Sequence, residues 1–395
     1  MQTDHASQSL RLTLTSMAHL GAAVARHEGQ VVFADFGIPG EEVLAEVRQR
    51  HKQFLRARVT DVLSASPHRV ETPCPYFRDC GGCQWQHIAY PHQLELKRQI
   101  VTELLQGLGK FGSPPVSPVL GMDDPWRYRN QVRFSVGHGG KLGFVNPQEG
   151  SFVRVDRCLI AQPEINDVLA KLQQRTWWQH QITVRYGART GQLLISPALE
   201  IFDGSLATGQ PSYEEELLGH RFRVSAPSFF QVNPVQAERL AQLVLERIGD
   251  KVDTLLDAYA GVGAFAVVAA DRARHIIAME EAGPSIQDAL LNTKGISNIE
   301  AMRGKVEELL PRLKQRPDVV ILDPPRAGCH PRALEALLAL RPSRVIYVSC
   351  EPSTLARDLA ILCKDFYGLQ DIQPVDMFPQ TYHIETIATL ETRPH

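Results

Sequence analysis

The second half of the chain alternates short apolar segments with amphipathic ones, and this alternation limits the possible folds more than any other feature. Strands are predicted at Val252–Leu256, His275–Met279, Ile299–Arg303, Asp318–Leu322 and Arg344–Ser349, with helices between them. Strands that are separated by helices pair in parallel, and the helices cover both faces of the sheet. We therefore predict a doubly wound, Rossmann-like α/β domain over residues 222–395.

The composition and charge are those of a globular protein of the cytoplasm. A length of 395 residues allows about two or three domains. The formal net charge of −2 excludes a protein that is basic over its whole surface, so any contact with RNA or DNA must use local patches. The sequence has neither an apolar leader nor a stretch of membrane-spanning length, so the seven cysteines should be reduced. We expect a cytoplasmic monomer with no membrane partner.

Residues 1–66 are predicted to form a small antiparallel barrel of the OB type, after a disordered tail at residues 1–8. Short strands at Gln30–Ala34, Glu42–Gln49 and Phe54–Leu63 are separated by glycine-containing turns, a spacing typical of such barrels. A cluster of basic residues without an acid among them comprises Arg48, Arg50, Lys52, Arg56 and Arg58. The cluster is either an ordinary solvated face or a surface that follows the phosphates of a nucleic acid.

Four cysteines predict a metal site in a central α+β domain, for which we expect residues 67–221. They are Cys74, Cys80, Cys83 and Cys158. Four thiolates can bind either tetrahedral zinc or an iron–sulfur cluster. Structural zinc usually joins two short Cys-x2-Cys pairs, so three ligands in one loop and a remote fourth favour a [4Fe–4S] cluster. A helix inside residues 91–118 of this domain could pack on the C-terminal domain.

The stretch Trp126–Phe134 interleaves basic with aromatic residues. Such a mixture can stack on bases and pair with phosphates in a nucleic-acid interface. It can equally form a strand whose aromatic side chains point inward and whose arginines point outward, and we favour the strand.

Cys350 is the candidate nucleophile of the C-terminal domain. It follows the predicted strand Arg344–Ser349 and precedes a predicted helix. The dipole and the free N–H groups at the start of a helix favour a thiolate over a thiol. The alternative is a buried structural cysteine, because free cysteines are among the most buried residues of proteins.

Acidic residues near the ends of the neighbouring strands indicate a cofactor site. Asp257 is followed by the loop Gly261-Val262-Gly263, whose glycines let a cofactor approach the backbone. Glu280 ends the second strand, where a carboxylate can accept hydrogen bonds from both hydroxyls of a ribose. The acidic first loop disfavours a pyrophosphate and suits the cation S-adenosylmethionine (SAM). Asp323, which precedes Pro324-Pro325-Arg326, follows the fourth strand at the junction of cofactor and target.

Long motifs in the second half of the chain resemble those of one enzyme family. They are Phe230-Gln231-Val232-Asn233, Asp323-Pro324-Pro325-Arg326-Ala327-Gly328, Val348-Ser349-Cys350-Glu351-Pro352 and Asp376-Met377-Phe378-Pro379-Gln380-Thr381-Tyr382-His383-Ile384-Glu385. With the barrel and the four cysteines, they resemble the RNA uracil-C5 methyltransferases that use SAM, the family of the 23S rRNA and tRNA 5-methyluridine synthases. The resemblance implies a TRAM barrel, a [4Fe–4S] cluster and an RNA substrate, for which we favour 23S rRNA over tRNA.

The resemblance also implies roles for individual residues. Cys350 would add to C6 of uracil, which makes C5 nucleophilic enough to take the methyl group of SAM. Glu385 would then remove the C5 proton as the general base. The residues implied for SAM binding are Gln231, Tyr259, Glu280 and Asp323.

The chain departs from the pattern of this family, and two other functions are compatible with parts of the sequence. The family usually has Cys at Ala260, a polar residue at Ala264 and Asn at Glu351. A cytosine-C5 RNA methyltransferase would need a cysteine directly after Pro325, where the chain has Arg326. A non-catalytic iron–sulfur protein that binds RNA would not bind SAM. We favour a structural over a redox role for the cluster, because its ligands lie outside the catalytic domain.

Overall fold

The computed structural model describes residues 9–146, 149–173, 175, 178–200 and 206–393. The tail predicted at residues 1–8 lies outside these ranges. The described residues form a six-stranded sheet, a five-stranded sheet, a two-stranded hairpin and a seven-stranded sheet. None of the described helices is long and apolar enough to cross a lipid bilayer.

The six-stranded sheet forms an N-terminal barrel, which is not purely antiparallel as predicted, because the strands at residues 30–35 and 54–64 pair in parallel. Its strands are β1 (Ser9–Thr13), β2 (Ser16–Met17), β3 (Ala23–His27), β4 (Gln30–Asp35), β5 (Glu42–Arg50) and β6 (Phe54–Ser64). The bounds of β4, β5 and β6 confirm the prediction to within one residue at each end. Because β1 pairs with β5 while β2, directly after it, pairs with β3, the first segment of the chain closes the sheet on itself. Leu10, Leu12 and Leu14 alternate into the core of the barrel.

The five-stranded antiparallel sheet lies in the middle of the chain. The elements of this part are α1 (Tyr90–Gly107), β7 (Gln131–Val136), β8 (Leu142–Val145), β9 (Phe152–Arg154), α2 (Pro163–Leu172), β10 (Gln181–Tyr186) and β11 (Leu193–Ser196), with the sheet order β11-β10-β7-β8-β9. In β7, Val132 and Phe134 are buried while Arg133 is exposed. This confirms the strand interpretation for Gln131–Phe134, whereas residues 126–130 precede the strand. Ile165, Val168 and their neighbours on α2 cover the same core.

The seven-stranded sheet confirms the doubly wound α/β prediction. The elements are β12 (Ser212–Leu217), β13 (His220–Ser225), α3 (Pro234–Ile248), β14 (Val252–Ala258), α4 (Ala264–Val268), β15 (Ala273–Glu280), α5 (Gly283–Asn292), β16 (Ile299–Arg303), α6 (Val306–Leu309), β17 (Val319–Leu322), α7 (Pro331–Leu340), β18 (Arg344–Ser349), α8 (Pro352–Leu362), β19 (Tyr367–Val375) and β20 (Glu385–Thr392). Strands β12 and β13 form the hairpin, and the sheet order is β16-β15-β14-β17-β18-β20-β19. The first five of these strands are parallel, whereas β20 is antiparallel to both of its neighbours.

Helix α1 packs on the C-terminal domain rather than on the central sheet. Leu96, Ile100 and Leu105 of α1 share one core with Leu359 of α8 and Tyr367 of β19. The chain after α1 then runs parallel to β19, as the N–H of Ser117 donates to the carbonyl of Ile372. The helix therefore joins the middle of the sequence to the far edge of the catalytic sheet. The domain limits at residues 66 and 221 stay predictions.

A fully buried ion pair fixes α1 against the segment that precedes β20. Lys97 Nζ lies 2.5 Å from Asp376 Oδ1, and both side chains are completely shielded from solvent. Lys97 Nζ also donates to the carbonyl of Phe378 at 3.2 Å, and the hydroxyl of Tyr90 donates to Asp376 Oδ2 at 2.8 Å. Both oxygens of the Asp376 carboxylate therefore accept a hydrogen bond. Removal of either partner would leave an uncompensated charge in the core.

We predict that Asp376→Ala lowers the free energy of unfolding by about 3–5 kcal/mol, because Lys97 would stay buried without its partner. The double substitution Lys97→Met with Asp376→Asn should lower the free energy of unfolding by less than half of that amount, since neither residue of the pair then has a charge. The measurement is urea unfolding followed by circular dichroism.

The matched control for this prediction is Glu42→Ala, which removes an exposed ion pair with Arg11. Exposed pairs contribute up to about 1 kcal/mol. Equal losses for Asp376→Ala and Glu42→Ala would contradict the role given to the buried pair.

Candidate active site

A cavity of about 630 Å³ opens at the carboxyl edge of the seven-stranded sheet. After β14, the strands β15 and β16 are added towards one edge of the sheet, whereas β17 and β18 are added towards the other edge. Ligands of doubly wound sheets bind at the point where the strand order reverses in this way. The cavity lies at this position. The structure brings together all six residues predicted for catalysis or SAM binding, and they line its wall: Gln231, Tyr259, Glu280, Asp323, Cys350 and Glu385.

The loop after β14 holds its shape through two acidic side chains. Tyr259 and Gly261 have φ values of 66° and 57°, so the loop turns through the left-handed region. The buried Asp257 accepts from the N–H of Ala266 at 2.9 Å and fixes the start of α4. Glu280 accepts from the N–H of Gly261 at 2.9 Å, which ties the end of β15 to the loop. One oxygen of Glu280 is thus used to shape the loop beside which a ribose would have to lie.

The cavity is strongly acidic. Its lining has five carboxylic acids (Glu280, Glu281, Glu307, Asp323 and Glu385), and Arg326 is the one Lys or Arg among the described lining residues. Burial raises the pKa of Asp323 to about 7, and burial together with Asp323 raises the pKa of Glu385 well above its usual value. A cation bound here would favour the ionised form of these acids.

Antiparallel insertion of β20 brings Glu385 close to Cys350. Strand β18 ends at Ser349, which pairs with Thr386 of β20. Cys350 directly follows Ser349 and Glu385 directly precedes Thr386, so the two side chains enter the cavity from adjacent strands. Their charges interact, because Glu385 is one of the groups that raise the pKa of Cys350.

The start of α8 does not make Cys350 a thiolate in the ligand-free cavity, contrary to our expectation. Burial, Glu385 and Asp323 raise the pKa of the thiol to about 12, and Arg326 opposes them. Desolvation and two acids therefore outweigh the favourable helix terminus. The alternative of a buried structural cysteine does not describe Cys350, which is half-buried and lines the cavity.

The segment that carries Gln231 is held in place by polar contacts from two directions. Asp288 of α5 accepts from the N–H of Ser225 at 2.8 Å and from the hydroxyl of Ser228 at 2.6 Å. Arg185 of β10 donates to the carbonyl of Ser228 at 2.7 Å. Asn233 caps α3, as its sequence position before Pro234 predicts. These contacts fix the residues between β13 and α3 against the cavity.

Three further residues line the cavity, and their roles there were missed by sequence reasoning. Phe229 is 62% exposed, which is unusual for a phenylalanine at a cavity. Burial lowers the pKa of His383 to about 4, so its ring is neutral at neutral pH. Arg326 follows a Pro-Pro turn, and this position after the fourth strand was the available signal for it. For Phe229, the only signal was its place beside Phe230 and Gln231.

The four predicted metal ligands converge outside this cavity. Cys74, Cys80 and Cys83 lie in the loop before α1, and Cys158 lies between β9 and α2. Burial, together with the charges of Cys158 and Cys74, raises the pKa of Cys80 to about 11. The sulfurs therefore lie close enough to interact. Among the described residues, no group of three or more His, Cys, Asp or Glu side chains is arranged to hold a single metal ion.

Known proteins resemble the chain over almost its whole length. Residues 216–393 match the family described as tRNA (uracil-5-)-methyltransferase, and residues 8–60 match the TRAM domain. The chain is 36% identical to an uncharacterised RNA methyltransferase of Gloeobacter violaceus, with 97% of this chain and 96% of the relative covered. A second such relative, from Halalkalibacterium halodurans, is 33% identical with 97% of each chain covered. The chain belongs to the RNA (uracil-5-)-methyltransferase family.

A solved structure agrees with this family. The tRNA (uracil-54, C5)-methyltransferase of Pyrococcus abyssi, in complex with S-adenosyl-L-homocysteine (SAH), is 25% identical and superposes with a TM-score of 0.76. The match covers 96% of this chain and 100% of the archaeal one. The chain is a SAM-dependent RNA (uracil-C5)-methyltransferase with an N-terminal TRAM domain. The alternatives of a cytosine-C5 enzyme and of a non-catalytic RNA-binding protein are wrong.

Two of the residues that we expect to depart from the family pattern lie at the cavity of this uracil-C5 methyltransferase. Ala260 and Ala264 both line it and offer no side-chain hydrogen bond. A cofactor bound beside these two alanines must therefore be held by the backbone of the loop after β14 and by the acids on the opposite wall, rather than by side chains of this loop. Charge complementarity should therefore contribute strongly to SAM affinity.

We predict that SAM binds about fivefold more tightly at pH 8 than at pH 6. Asp323, whose raised pKa is about 7, is neutral below that pH and anionic above it, and the anion attracts the sulfonium. Isothermal titration calorimetry at both pH values measures the effect.

SAH is the matched ligand control, because it has the same amino acid part but a neutral sulfur. Its affinity should stay nearly constant, and Asp323→Asn should flatten the pH dependence for SAM. A dependence of equal size for SAH would show that the sulfonium charge is not the cause.

Proposed function

We propose that this methyltransferase acts by covalent catalysis through Cys350. C5 of uracil is too weak a nucleophile to displace a methyl group unaided. Addition of the Cys350 sulfur to C6 would move electron density onto C5 and O4 and make C5 nucleophilic. SAM, when bound, supplies the electrophilic methyl group. The position of Cys350 at the end of β18, open to a cavity of about 630 Å³, supports this proposal more than any other observation.

We propose that Glu385 is the general base that takes the C5 proton after methyl transfer. Loss of that proton lets the Cys350 sulfur leave C6 and restores the aromatic ring. The raised pKa of Glu385, caused by burial and by Asp323, suits a group that must accept a proton near neutral pH. His383 is a weaker candidate, because its lowered pKa makes it a poor base.

We propose that Gln231, Tyr259, Glu280 and Asp323 bind SAM. All four line the cavity, and Tyr259, Glu280 and Asp323 lie at the carboxyl ends of β14, β15 and β17. Glu280 retains free acceptor capacity for ribose hydroxyls, although it already accepts from Gly261 and Ala282. A bound cation would also lower the pKa of Cys350, since it would offset the acids that raise it. A larger fraction of the thiol would thus be ionised after SAM binds.

We predict that Cys350→Ala abolishes methyl transfer and leaves SAM affinity within a few-fold of the wild type. In contrast, Glu385→Gln should still form the bond to C6 but release it slowly, because no base removes the C5 proton. The measurements are methyl transfer from labelled SAM, SAM titration, and a denaturing gel that separates free protein from a covalent protein–RNA adduct.

The control for the adduct is the double variant Glu385→Gln with Cys350→Ala. This variant should give no covalent protein–RNA adduct, because it lacks the sulfur that bonds to C6. Equal loss of SAM affinity and of turnover in Cys350→Ala would remove the nucleophile assignment. A Glu385→Gln enzyme without an adduct would remove the base assignment.

We propose that Cys74, Cys80, Cys83 and Cys158 bind a [4Fe–4S] cluster in a central α+β domain. The donor set fits by its chemistry, because four soft thiolates suit iron and the N–H of Gly82 donates to Cys80 Sγ at 3.4 Å. The charges of Cys158 and Cys74 act on Cys80, so the sulfurs are near enough to interact. Three ligands in one loop and a remote fourth favour this cluster over structural zinc, which usually joins two short Cys-x2-Cys pairs. None of the seven cysteines forms a disulfide bond, which agrees with our proposal that the enzyme works in the cytoplasm. We also propose that it is a monomer.

We predict that the purified enzyme is brown, contains iron and acid-labile sulfide, and loses both in Cys80→Ser. Three thiolates cannot hold the cluster as tightly, so folding or RNA binding should weaken as well. Absorbance and metal analysis of anaerobically purified protein check this, with Cys363→Ser, a buried cysteine outside the cluster, as the control. A colourless wild type that contains zinc would overturn the assignment.

We propose a uridine of 23S rRNA as the substrate, because the barrel and the four-cysteine loop together resemble the rRNA branch of the family. A tRNA uridine is the second candidate, favoured by the similarity to the tRNA (uracil-54, C5)-methyltransferase. Mapping of 5-methyluridine in total RNA from a deletion strain tests both. Loss from one 23S rRNA position supports the first, and loss from tRNA alone supports the second.

A further inference from the structure

The turn between β2 and β3 of the barrel packs directly against the catalytic domain. A Cβ atom on Gly21 would lie 2.7 Å from Cβ of Tyr382, so only a glycine allows this approach. The indole N–H of Trp85 donates to the carbonyl of Gly21 at 3.0 Å and holds the turn from the other side. Tyr382 lies shortly before Glu385 in the chain. The barrel is therefore in contact with the segment that leads to Glu385.

His19 of the same turn contacts the segment that contains Cys350. Its Nε2 lies 2.5 Å from Oε1 of Glu351, the residue that follows Cys350. The two side chains are only 24% and 21% exposed. The other ring nitrogen of His19 is buried and has no hydrogen-bond partner among the described residues. Glu351 is thus the specific partner of this histidine.

Glu351 also shapes the start of α8. It is the N-cap residue, and its Oε1 accepts from the hydroxyl of Ser353 at 2.8 Å and more weakly from the Ser353 N–H. Burial raises the pKa of Glu351, but the hydrogen bonds from His19 and Ser353 outweigh it and lower that pKa to about 2. Glu351 is therefore a permanent anion next to the cysteine.

An uncompensated anion at this position would oppose the thiolate of Cys350. Glu385 and Asp323 already raise the pKa of Cys350, whereas Glu351 is not among the main groups that do so. His19 and Ser353 both bond to Oε1 of Glu351 and so fix the position of this carboxylate. Because Glu351 directly follows Cys350 in the chain, the position of this charge matters for the thiol.

We propose that His19, although it belongs to the RNA-binding type of barrel, is a positioning residue for the nucleophile: it binds Glu351, keeps that charge away from Cys350 and fixes the first turn of α8. The inference depends on the proposed role of Cys350 as nucleophile. It means that the catalytic centre is complete only when the barrel is docked against it. A change in the seating of the barrel would then act directly on the reactivity of the thiol.

The test is a double-substitution cycle of His19→Ala and Glu351→Asn in the full-length enzyme. We expect His19→Ala to lower kcat and the rate of Cys350 alkylation by iodoacetamide about tenfold, the change that one pKa unit makes in the thiolate fraction. In the Glu351→Asn background the same substitution should change either rate less than about twofold, because no charge remains to be held. Site-resolved mass spectrometry measures the alkylation without RNA.

Controls separate this inference from other causes. His27→Ala, which removes another barrel histidine next to a glutamate, should leave both rates and the melting temperature unchanged. If His19→Ala lowered kcat and the alkylation rate equally in the wild-type and Glu351→Asn backgrounds, and also lowered the melting temperature, the inference would be overturned. Such a result would indicate that His19 contributes only to packing. An active Cys350→Ala enzyme would instead overturn the proposed nucleophile. An inactive Cys350→Ala with no effect of His19→Ala would overturn only the role of His19.

Discussion

The antiparallel pairing of β18 with β20 is the contact on which the catalytic arrangement depends. Five parallel strands bring their carboxyl ends to one edge, so residues that follow them can meet there. A sixth parallel strand in the place of β20 would start at the opposite edge. Because β20 runs the other way, its first residue, Glu385, lies at the same edge as Cys350. The buried contacts of Asp376 with α1 fix the segment from which β20 starts.

The electrostatics of the cavity follow from this arrangement. Acids from three different strand ends share one poorly solvated space with a single guanidinium, Arg326. Like charges at close range raise one another's pKa, and burial adds to the effect. The pKa values of Cys350, Asp323 and Glu385 are accordingly all raised. In the proposed mechanism, binding of a cation would lower all three pKa values together and would couple ionisation of Cys350 to the presence of the methyl donor.

The fold was largely predictable from local sequence, since the alternation of strands and helices is a local signal. The bounds of β4, β5 and β6 needed only alternation and turn residues. The six cavity residues were identified from the resemblance and from strand ends, because a strand end is also visible locally. The raised pKa of Cys350 was not predictable, since it depends on acids from β17 and β20 that meet only in the folded sheet.

Contacts between distant parts of the chain were likewise invisible in the sequence. Periodicity shows that α1 has an apolar face, but not that this face covers α8 and β19. His19 and Glu351 are separated by 332 positions, and neither has a neighbourhood that indicates the other. Phe229 was missed for a related reason: an aromatic pair before a helix is usually core, and only the folded cavity shows that one ring is exposed.

The loop that holds three of the four cysteines contacts the barrel, the central sheet and the segment before β20, which favours a structural role for the proposed cluster. Asp79 is bonded by Arg58 of the barrel and, through its carbonyl, by Asn146 of the central sheet. A few residues later, the N–H of Trp85 donates to the carbonyl of Gln380, and its indole holds Gly21. The same short loop thus ties the barrel turn, the central sheet and the segment before β20 to one another. Ligands that fix this loop would fix the relative positions of His19, Cys350 and Glu385, and no electron transfer is needed to explain why a methyltransferase would retain them.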